Sequence, residues 1–439
     1  MNDSVKNNKF HITTFGCQMN LADSSTLVAT LLTRGFQRVY KEKEADVIIF
    51  NTCSVREKAE ERVLGRLWDI YKYKKDKPNL KIAVIGCMAQ RLGEKLIEKV
   101  PHVDFVLGTD RLFELPDVVM GHNGFHPVMT AFGYENMDAI LPVKENNFSA
   151  YVTISRGCDN FCSYCIVPYV RGEERAHSAD RIVENVKRLV NDGVVEITLL
   201  GQNVNSYRWK DIDFPGLLQR IISETSIRRI RFMTSHPKDL SDRLVEVMSE
   251  NDRFMPHIHL PLQSGANRIL EKMGRNYTIE HYNKIVDYIR SRINYVAVTT
   301  DLIVGFPSET EAEYEATLRA VRNIQFDAAF MFRYSVRPGT LAEKYADDVP
   351  EDVKIKRLNN LIALQQKISF ERNQREVGQT RFSLIEGTSR RSDAFQRART
   401  EGNKIVLFKT GDFMPGQVVP IRIASADAYT LHGEIVEGK

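Results

Sequence analysis

The chain lacks any apolar run approaching the roughly 20 residues that a membrane-spanning helix needs. Its first residues, Met1 to Lys9, are polar and do not form the apolar segment of a secretory signal. A cytoplasmic protein with no membrane partner is therefore the expectation. Charge of one sign is scarce as well: 61 Lys and Arg face 57 Asp and Glu, for a formal net charge of +4. So small an excess accommodates a nucleic-acid partner without arguing for one. The sequence contains no internal repeat and no low-complexity tract. Cysteine is sparse too, with six in 439 residues. In a reducing compartment three disulfides are not expected, which leaves metal binding or redox chemistry for spacing to decide.

What is present fits a soluble protein with a sizeable core, 43% hydrophobic and 27% charged. The length calls for two or three domains. From Lys9 to about Leu115, apolar runs alternate with helical patterns. Phe10 to Phe15, Asp46 to Phe50, Lys81 to Ile85 and Val103 to Leu107 read as strands, and Asp23 to Thr33 and Arg56 to Tyr73 as helices. That order implies an α/β domain with a parallel sheet. A stretch rich in Gly, Asn and Pro, Gly121 to Asn147, reads as a linker with a short hairpin.

Six strands then alternate with helices, at Tyr151 to Ile154, Glu196 to Leu200, Ile230 to Met233, His257 to Leu260, Val296 to Ile303 and Ala328 to Tyr334. The pattern points to a (β/α)6 partial TIM barrel. A charged helix over Asp352 to Glu376 should lie against it. Beyond Gly378, short alternating runs at Thr380 to Glu386, Lys404 to Phe408, Val418 to Ala424 and Leu431 to Ile435 imply a small all-β barrel. The expected domains are residues 1–147, 148–376 and 378–439.

Cys158, Cys162 and Cys165 form a C-x3-C-x2-C run after the first barrel strand. Three thiolates in one loop can ligate three irons of a four-iron cluster and leave the fourth iron open. A structural zinc site is the alternative, with His177 as a fourth ligand. Cys17, Cys53 and Cys87 lie far apart in sequence, yet each directly follows a strand, in Thr-Phe-Gly-Cys, Phe-Asn-Thr-Cys and Val-Ile-Gly-Cys. Strand ends of one sense share an edge of a parallel sheet, so the three thiols should converge there. Three buried core cysteines are the plainer reading of the same trio. Gly16 and Gly86 would let the backbone approach a bulky group.

The segment Arg-Gly-Cys158-Asp-Asn-Phe-Cys162-Ser-Tyr-Cys165-Ile-Val-Pro-Tyr resembles the radical S-adenosylmethionine (SAM) loop of the methylthiotransferase family. The resemblance implies three domains over nearly the whole chain: an N-terminal cluster-binding domain, a radical SAM barrel and a small C-terminal β-barrel called TRAM. Asn51-Thr-Cys53-Ser-Val-Arg56-Glu57-Lys58-Ala59, Leu200-Gly-Gln202-Asn203-Val-Asn205, Thr234-Ser-His236-Pro237 and His259-Leu-Pro-Leu-Gln263-Ser-Gly265 are similar to the branch that modifies isopentenyladenosine at position 37 of tRNA, beside the anticodon. A sister branch acts on threonylcarbamoyladenosine and is the alternative. The chain departs from the pattern at Ala176-His177, where Ser-Arg is usual, and at Ala266 and Ser308, where Ser and Gly are expected. Every cysteine stays in place.

The resemblance implies two [4Fe-4S] clusters, the radical SAM cluster on Cys158, Cys162 and Cys165 and an auxiliary cluster on Cys17, Cys53 and Cys87. It implies two SAM molecules per turnover, one the radical source aimed at carbon 2 of adenine and one the methyl donor. Gln202, Asn203, Gln263, Ser264 and Glu309 follow barrel strands and are the candidate SAM contacts. Arg228, Arg229 and Arg231, with Arg390, Arg391, Arg397 and Arg399, are candidates to meet phosphates. The expected partners are tRNA carrying isopentenyladenosine in the anticodon loop, an electron donor such as flavodoxin or ferredoxin, and a sulfur-supplying or cluster-rebuilding protein. A monomer is expected.

Overall fold

Val47 to Phe50 is buried on both faces, as a central parallel strand must be. In the computed structural model, which describes residues 9–54, 57–121, 126–133, 143–144 and 146–436, this run is the middle of a six-stranded parallel sheet. Its strands are β1 (Lys9–Thr14), β2 (Gln37–Arg38), β3 (Val47–Thr52), β4 (Lys81–Gly86), β5 (Phe105–Leu107) and β6 (Val128–Met129), in the order β2-β1-β3-β4-β5-β6. Strand alternation divides the core in two. Ile48, Phe50, Ile82 and Val84 pack with Val63, Leu67 and Ile70 of helix α2 (Glu57–Asp76). Val47, Ile49, Ala83 and Ile85 pack with Leu27 and Leu31 of helix α1 (Gln18–Thr33).

Helix α1 starts five residues before Asp23, because Cys17 stands in extended backbone at its N-cap and its first turn, Gln18 to Leu21, mixes polar and apolar residues. Strand β5 begins at Phe105, the amide of Val103 being spent on Val100 O in a turn. The two-residue strands β2 and β6 carry no periodicity from which to read them. The hairpin expected within Gly121 to Asn147 falls largely outside the described residues.

Chain contacts resolve two compact units that interleave along the sequence. Residues 1–143, 151–159 and 165–177 form the first; residues 144–150, 160–164 and 178–439 form the second. In the second, Glu196–Leu200 pairs in parallel with Arg229–Phe232, and His257–His259, Ala297–Val304 and Ala328–Arg333 form a parallel sheet. Ile230 joins the two sets by bonding Arg253 O and accepting from Met255 N. Helices Ala179–Asn191, Phe214–Glu224, Asp242–Ser249, Ile279–Arg292 and Glu311–Ile324 alternate with these strands. Thr310 caps the last of them with a full capping box to Glu313.

Helix Glu351–Gln374 lies against the final barrel strand, where Gln365 Nε2 donates to Phe326 O and Arg372 pairs with Asp327. The C-terminal strands close into a five-stranded barrel around Ile385, Ala398, Val406, Phe408, Ile421 and Leu431. Its second strand, Phe395–Arg399, escapes the sequence reading because its buried face is only Gln396 and Ala398 and its other face carries two Arg, so neither face reads as apolar.

One expectation is overturned here. Arg229 and Arg231 do not face phosphates: both are buried, and both Nε atoms donate to Glu196 Oε2 at 2.9 Å. Their remaining donors reach the carbonyls of Phe382, Thr400 and Glu401, fastening the β-barrel to the strands beneath it. Arg397 and Arg399 are paired with Glu386, while Arg228, Arg390 and Arg391 are exposed.

Candidate functional site

Cys17, Cys53 and Cys87 stand directly beyond β1, β3 and β4, three adjacent strands of the sheet. The chain leaves β1 toward β2 on one side and returns to β3 on the other, so Cys17 and Cys53 flank the point where strand order reverses. Open α/β sheets bind their ligands outside the strand ends at such a point. A web of side chains ties these ends together. Asn20 Nδ2 donates to Asn51 Oδ1 and Thr52 O, Asn51 Nδ2 donates to Asn20 O and Ser24 Oγ, and Thr52 Oγ1 donates to Ile85 O.

Gly16, at φ +143°, is required by this crowding: a Cβ there would stand 2.6 Å from Asn20 Oδ1 and 2.9 Å from Cys53 Cβ. At Gly86, φ +92°, a Cβ would meet Asn51 Oδ1 at 2.5 Å. Asn20 of α1 and the neighbouring strand end crowd the space a Cβ would take at these glycines. Cys53 and Cys87 are buried and Cys17 is exposed, so the trio opens to one side.

Three arginines and two aspartates lie in the same unit. Asp23, 1% exposed, accepts from Arg156 Nη1 at 2.6 Å and from Arg171 Nη2 at 3.1 Å. Arg175 makes a forked pair with Asp110 at 2.7 and 2.9 Å. One positive charge is left over. Arg171 Nη1 is buried with no hydrogen-bond partner among the described residues. Burial pushes the Cys87 thiol up, and the Arg171 guanidinium opposes that shift. Conversely, burial would lower the Arg171 pKa, but Cys87 and Asp23 outweigh it and hold the guanidinium charged. A buried cation with a free donor beside cysteine thiols needs an anion. Thiolates around an iron–sulfur cluster supply one, and the residues present fit such a group.

In the other cysteine run, Cys158 and Cys162 are buried and Cys165 is half-buried. The loop is fixed at both ends: Cys158 N donates to Gly172 O, and Ser163 N donates to Met273 O. Arg275, 5% exposed, donates from Nη1 to Cys162 Sγ at 3.4 Å, from Nη2 to Pro261 O and from Nε to Tyr277 Oη. Beyond Cys165, Ile166 and Val170 pack on Cys87, so this loop's outgoing arm is part of the first trio's surroundings.

His177 has its amide on Ile154 O, and burial with Arg156 and Arg175 pushes its pKa down to about 3. Two guanidiniums beside it oppose a zinc dication there. Among the described residues, no three His, Cys, Asp or Glu side chains are grouped as a single metal ion requires. The ligands of a four-iron cluster surround a larger body.

The residues following the barrel strands divide into two sets. In the second unit, Gln202 Oε1, both amide atoms of Asn205, Ser235 Oγ and His236 Nε2 are buried without hydrogen-bond partners among the described residues. Burial and the nearby Arg275 push His236 down to about 2, so its ring is neutral. This unspent polar lining fits a polar cofactor such as SAM. Asn203 is committed instead to Asp239 Oδ2 at 2.6 Å and to the amide of His236. Ser264 Oγ, fully buried, is engaged with Thr317 Oγ1 and Ala266 N. Gln263 is buried at φ +70°, its amide on Asp301 O. Glu309 Oε2 accepts from Gly305 N and Arg357 Nη1 while its Oε1 has no partner. Arg56 lies outside the described residues, as do the side chains of Glu57, Lys58 and Ala59.

Sequence reading did not single out Asp23, Arg156, Arg171 or Arg275. Two of these arginines flank the cysteine run, at Arg156-Gly157 and Arg171-Gly172, and that symmetry was the available signal.

Comparison with known proteins agrees along the chain. Residues 9–108 match the uncharacterized protein family UPF0004, residues 152–321 the radical SAM superfamily, and residues 374–436 the TRAM domain. The chain is 45% identical to the tRNA-2-methylthio-N(6)-dimethylallyladenosine synthase of Moorella thermoacetica, over 98% of each chain. It is 44% identical to the protein of that name from Phocaeicola vulgatus, over 98% of this chain and 96% of the other. The radical SAM methyltransferase TsrM of Kitasatospora setae, solved with cobalamin and a [4Fe-4S] cluster, shares the fold at a TM-score of 0.60 and 12% identity, over 77% of this chain and 74% of that one. The chain belongs to the tRNA-2-methylthio-N(6)-dimethylallyladenosine synthase family of radical SAM methylthiotransferases.

Proposed function

We propose that this protein transfers a methylthio group to carbon 2 of N(6)-isopentenyladenosine, also called dimethylallyladenosine, at position 37 of tRNA. The observation that carries the reading is 45% identity to a synthase of that name along 98% of both chains, with all three matched domains in order. Two [4Fe-4S] clusters and SAM supply the electron, the radical, the methyl group and the sulfur when bound.

In this reading Cys158, Cys162 and Cys165 hold the radical SAM cluster, and Cys17, Cys53 and Cys87 the auxiliary one. Arg275 sits on one ligand of the first, and the Asp23–Arg156–Arg171 network beside the second supplies compensating positive charge. Gln202, Asn205, Ser235 and His236 would offer their buried polar atoms to SAM, with Asn203 positioning His236 through its amide. Gln263, Ser264 and Glu309, which follow later barrel strands, complete the candidate SAM contacts. Burying these polar atoms keeps water from the radical. The domains are residues 1–147, 148–376 and 378–439. The protein works as a cytoplasmic monomer, supplied by a flavodoxin or ferredoxin and by a sulfur-donating or cluster-rebuilding protein. No helix of the described residues is long and apolar enough to cross a membrane.

The test is anaerobic. Reconstituted protein receives SAM, reductant and sulfide, together with anticodon stem-loops bearing either isopentenyladenosine or threonylcarbamoyladenosine. Mass gain on the first substrate alone is expected. Gain on the second alone would move the protein to the sister branch.

A further inference from the structure

We propose that Arg171 is the positioning residue of the auxiliary site, its free Nη1 donating a hydrogen bond to an anionic sulfur of the group held by Cys17, Cys53 and Cys87. The inference rests on the ligand assignment above and goes beyond it by naming what orients that group.

Four observations converge. Arg171 is 3% exposed, so water does not satisfy its donors. Its Nη2 is fixed on Asp23 Oδ2 at 3.1 Å, and Asp23 is held from its other oxygen by Arg156 at 2.6 Å. Arg156 in turn donates to Thr109 O at 3.1 Å, which anchors the network to the chain beyond β5. The planar fork then fixes where Nη1 lies, and Nη1 is buried with no hydrogen-bond partner among the described residues. Val170, the residue before it, packs on Cys87, and the Cys87 and Cys17 thiols act electrostatically on its guanidinium.

If Asp23 were meant only to neutralise one arginine, a second buried guanidinium would be a pure cost. With an anionic sulfur opposite, the second arginine completes the charge balance: three arginines face two aspartates and one further anion. A guanidinium suits this task better than an ammonium, because one planar group grips the carboxylate with one nitrogen and offers another to the ligand. A hydrogen bond and a positive charge beside the sulfur atoms favour the reduced, more negative state of an iron–sulfur group, which raises its potential.

The experiment compares reconstituted parent with Arg171→Lys and Arg171→Met. Lysine keeps the charge and the Asp23 pair but loses the forked donor. Iron and sulfide are counted first, then the auxiliary midpoint potential and the affinity for added hydrosulfide are read by electron paramagnetic resonance, with the Cys158/Cys162/Cys165 cluster as internal reference. Both variants should shift the auxiliary midpoint negative and weaken hydrosulfide binding about tenfold, the loss of one charge-assisted hydrogen bond. The reference cluster should not move. A parent holding only one cluster would overturn the ligand assignment. A parent holding two, with auxiliary midpoint and hydrosulfide affinity unchanged in Arg171→Lys, would overturn this inference and leave Arg171 as a structural partner of Asp23. If Arg171→Met does not fold, Arg171→Lys alone decides.

Discussion

Arg275 Nη1 lies 3.4 Å from Cys162 Sγ, and both residues are buried. The other two ends of the guanidinium are taken by Pro261 O and Tyr277 Oη, which leaves its contact with the sulfur as its one charge-directed task. Each cysteine trio therefore has a buried arginine at it, Arg275 at one and Arg171 at the other.

Replacing Arg275 with Gln keeps a donor but removes the charge. We expect the Cys158/Cys162/Cys165 cluster to become harder to reduce, and SAM cleavage in the absence of tRNA to slow about tenfold. Deoxyadenosine release under excess reductant measures this. An unchanged rate with full iron content would remove Arg275 from the electron-transfer argument.

The two trios should fail independently. Cys17→Ala, Cys53→Ala and Cys87→Ala should each drop iron from about eight to about four per chain, retain SAM cleavage and abolish methylthiolation. Cys158→Ala, Cys162→Ala and Cys165→Ala should lose the other four irons and all SAM cleavage. Iron analysis of the six variants decides the matter; a variant from one trio that empties both sites would contradict separate clusters.

Glu196 is the carboxylate that both Arg229 and Arg231 pair with. Glu196→Gln strands two buried guanidiniums, a loss of about 3–5 kcal/mol. Urea unfolding should show it, and limited proteolysis should release the β-barrel more readily than in the parent. Equal stability of parent and variant would mean that the backbone carbonyls alone hold these arginines.

Burial pushes Glu309 up to about 7, against the opposing pull of the Gly305 amide and Arg357. In the unfolded chain this carboxyl titrates near 4.3, a typical value for Glu. Between those two values the folded protein keeps a proton that the unfolded chain has lost, so stability falls as pH rises through that window, by up to about 4 kcal/mol. Urea midpoints at pH 5 and pH 8 should differ more for the parent than for Glu309→Gln. Matching pH dependence in the two proteins would show Glu309 ionised throughout by Arg357.

The continuous apolar runs Val47 to Phe50 and Ile82 to Ile85 made the parallel sheet legible, because both faces of such a strand must meet a helix. The placement of Cys17, Cys53 and Cys87 after strands was legible for the same reason, since parallel strands share one carboxyl edge. Strand Phe395–Arg399 was not, because its Arg side chains pair with Glu386 on the neighbouring strand and the apolar signal is diluted. Arg229 and Arg231 look in sequence like any exposed basic run; only packing against the β-barrel reveals them as buried fasteners.

The sequence by itself determined the six cysteines, their two spacings, the strand–helix order and the family likeness, all of which are local patterns along the chain. Tertiary structure alone decided which charges are spent and which are left over. Asp23 and Arg156 are 133 residues apart, Asp23 and Arg171 148 apart, and Cys162 and Arg275 113 apart. Pairing across such separations is set by how the sheet and barrel fold back on themselves. A buried donor without a partner, such as Arg171 Nη1, exists only once every other contact has been made.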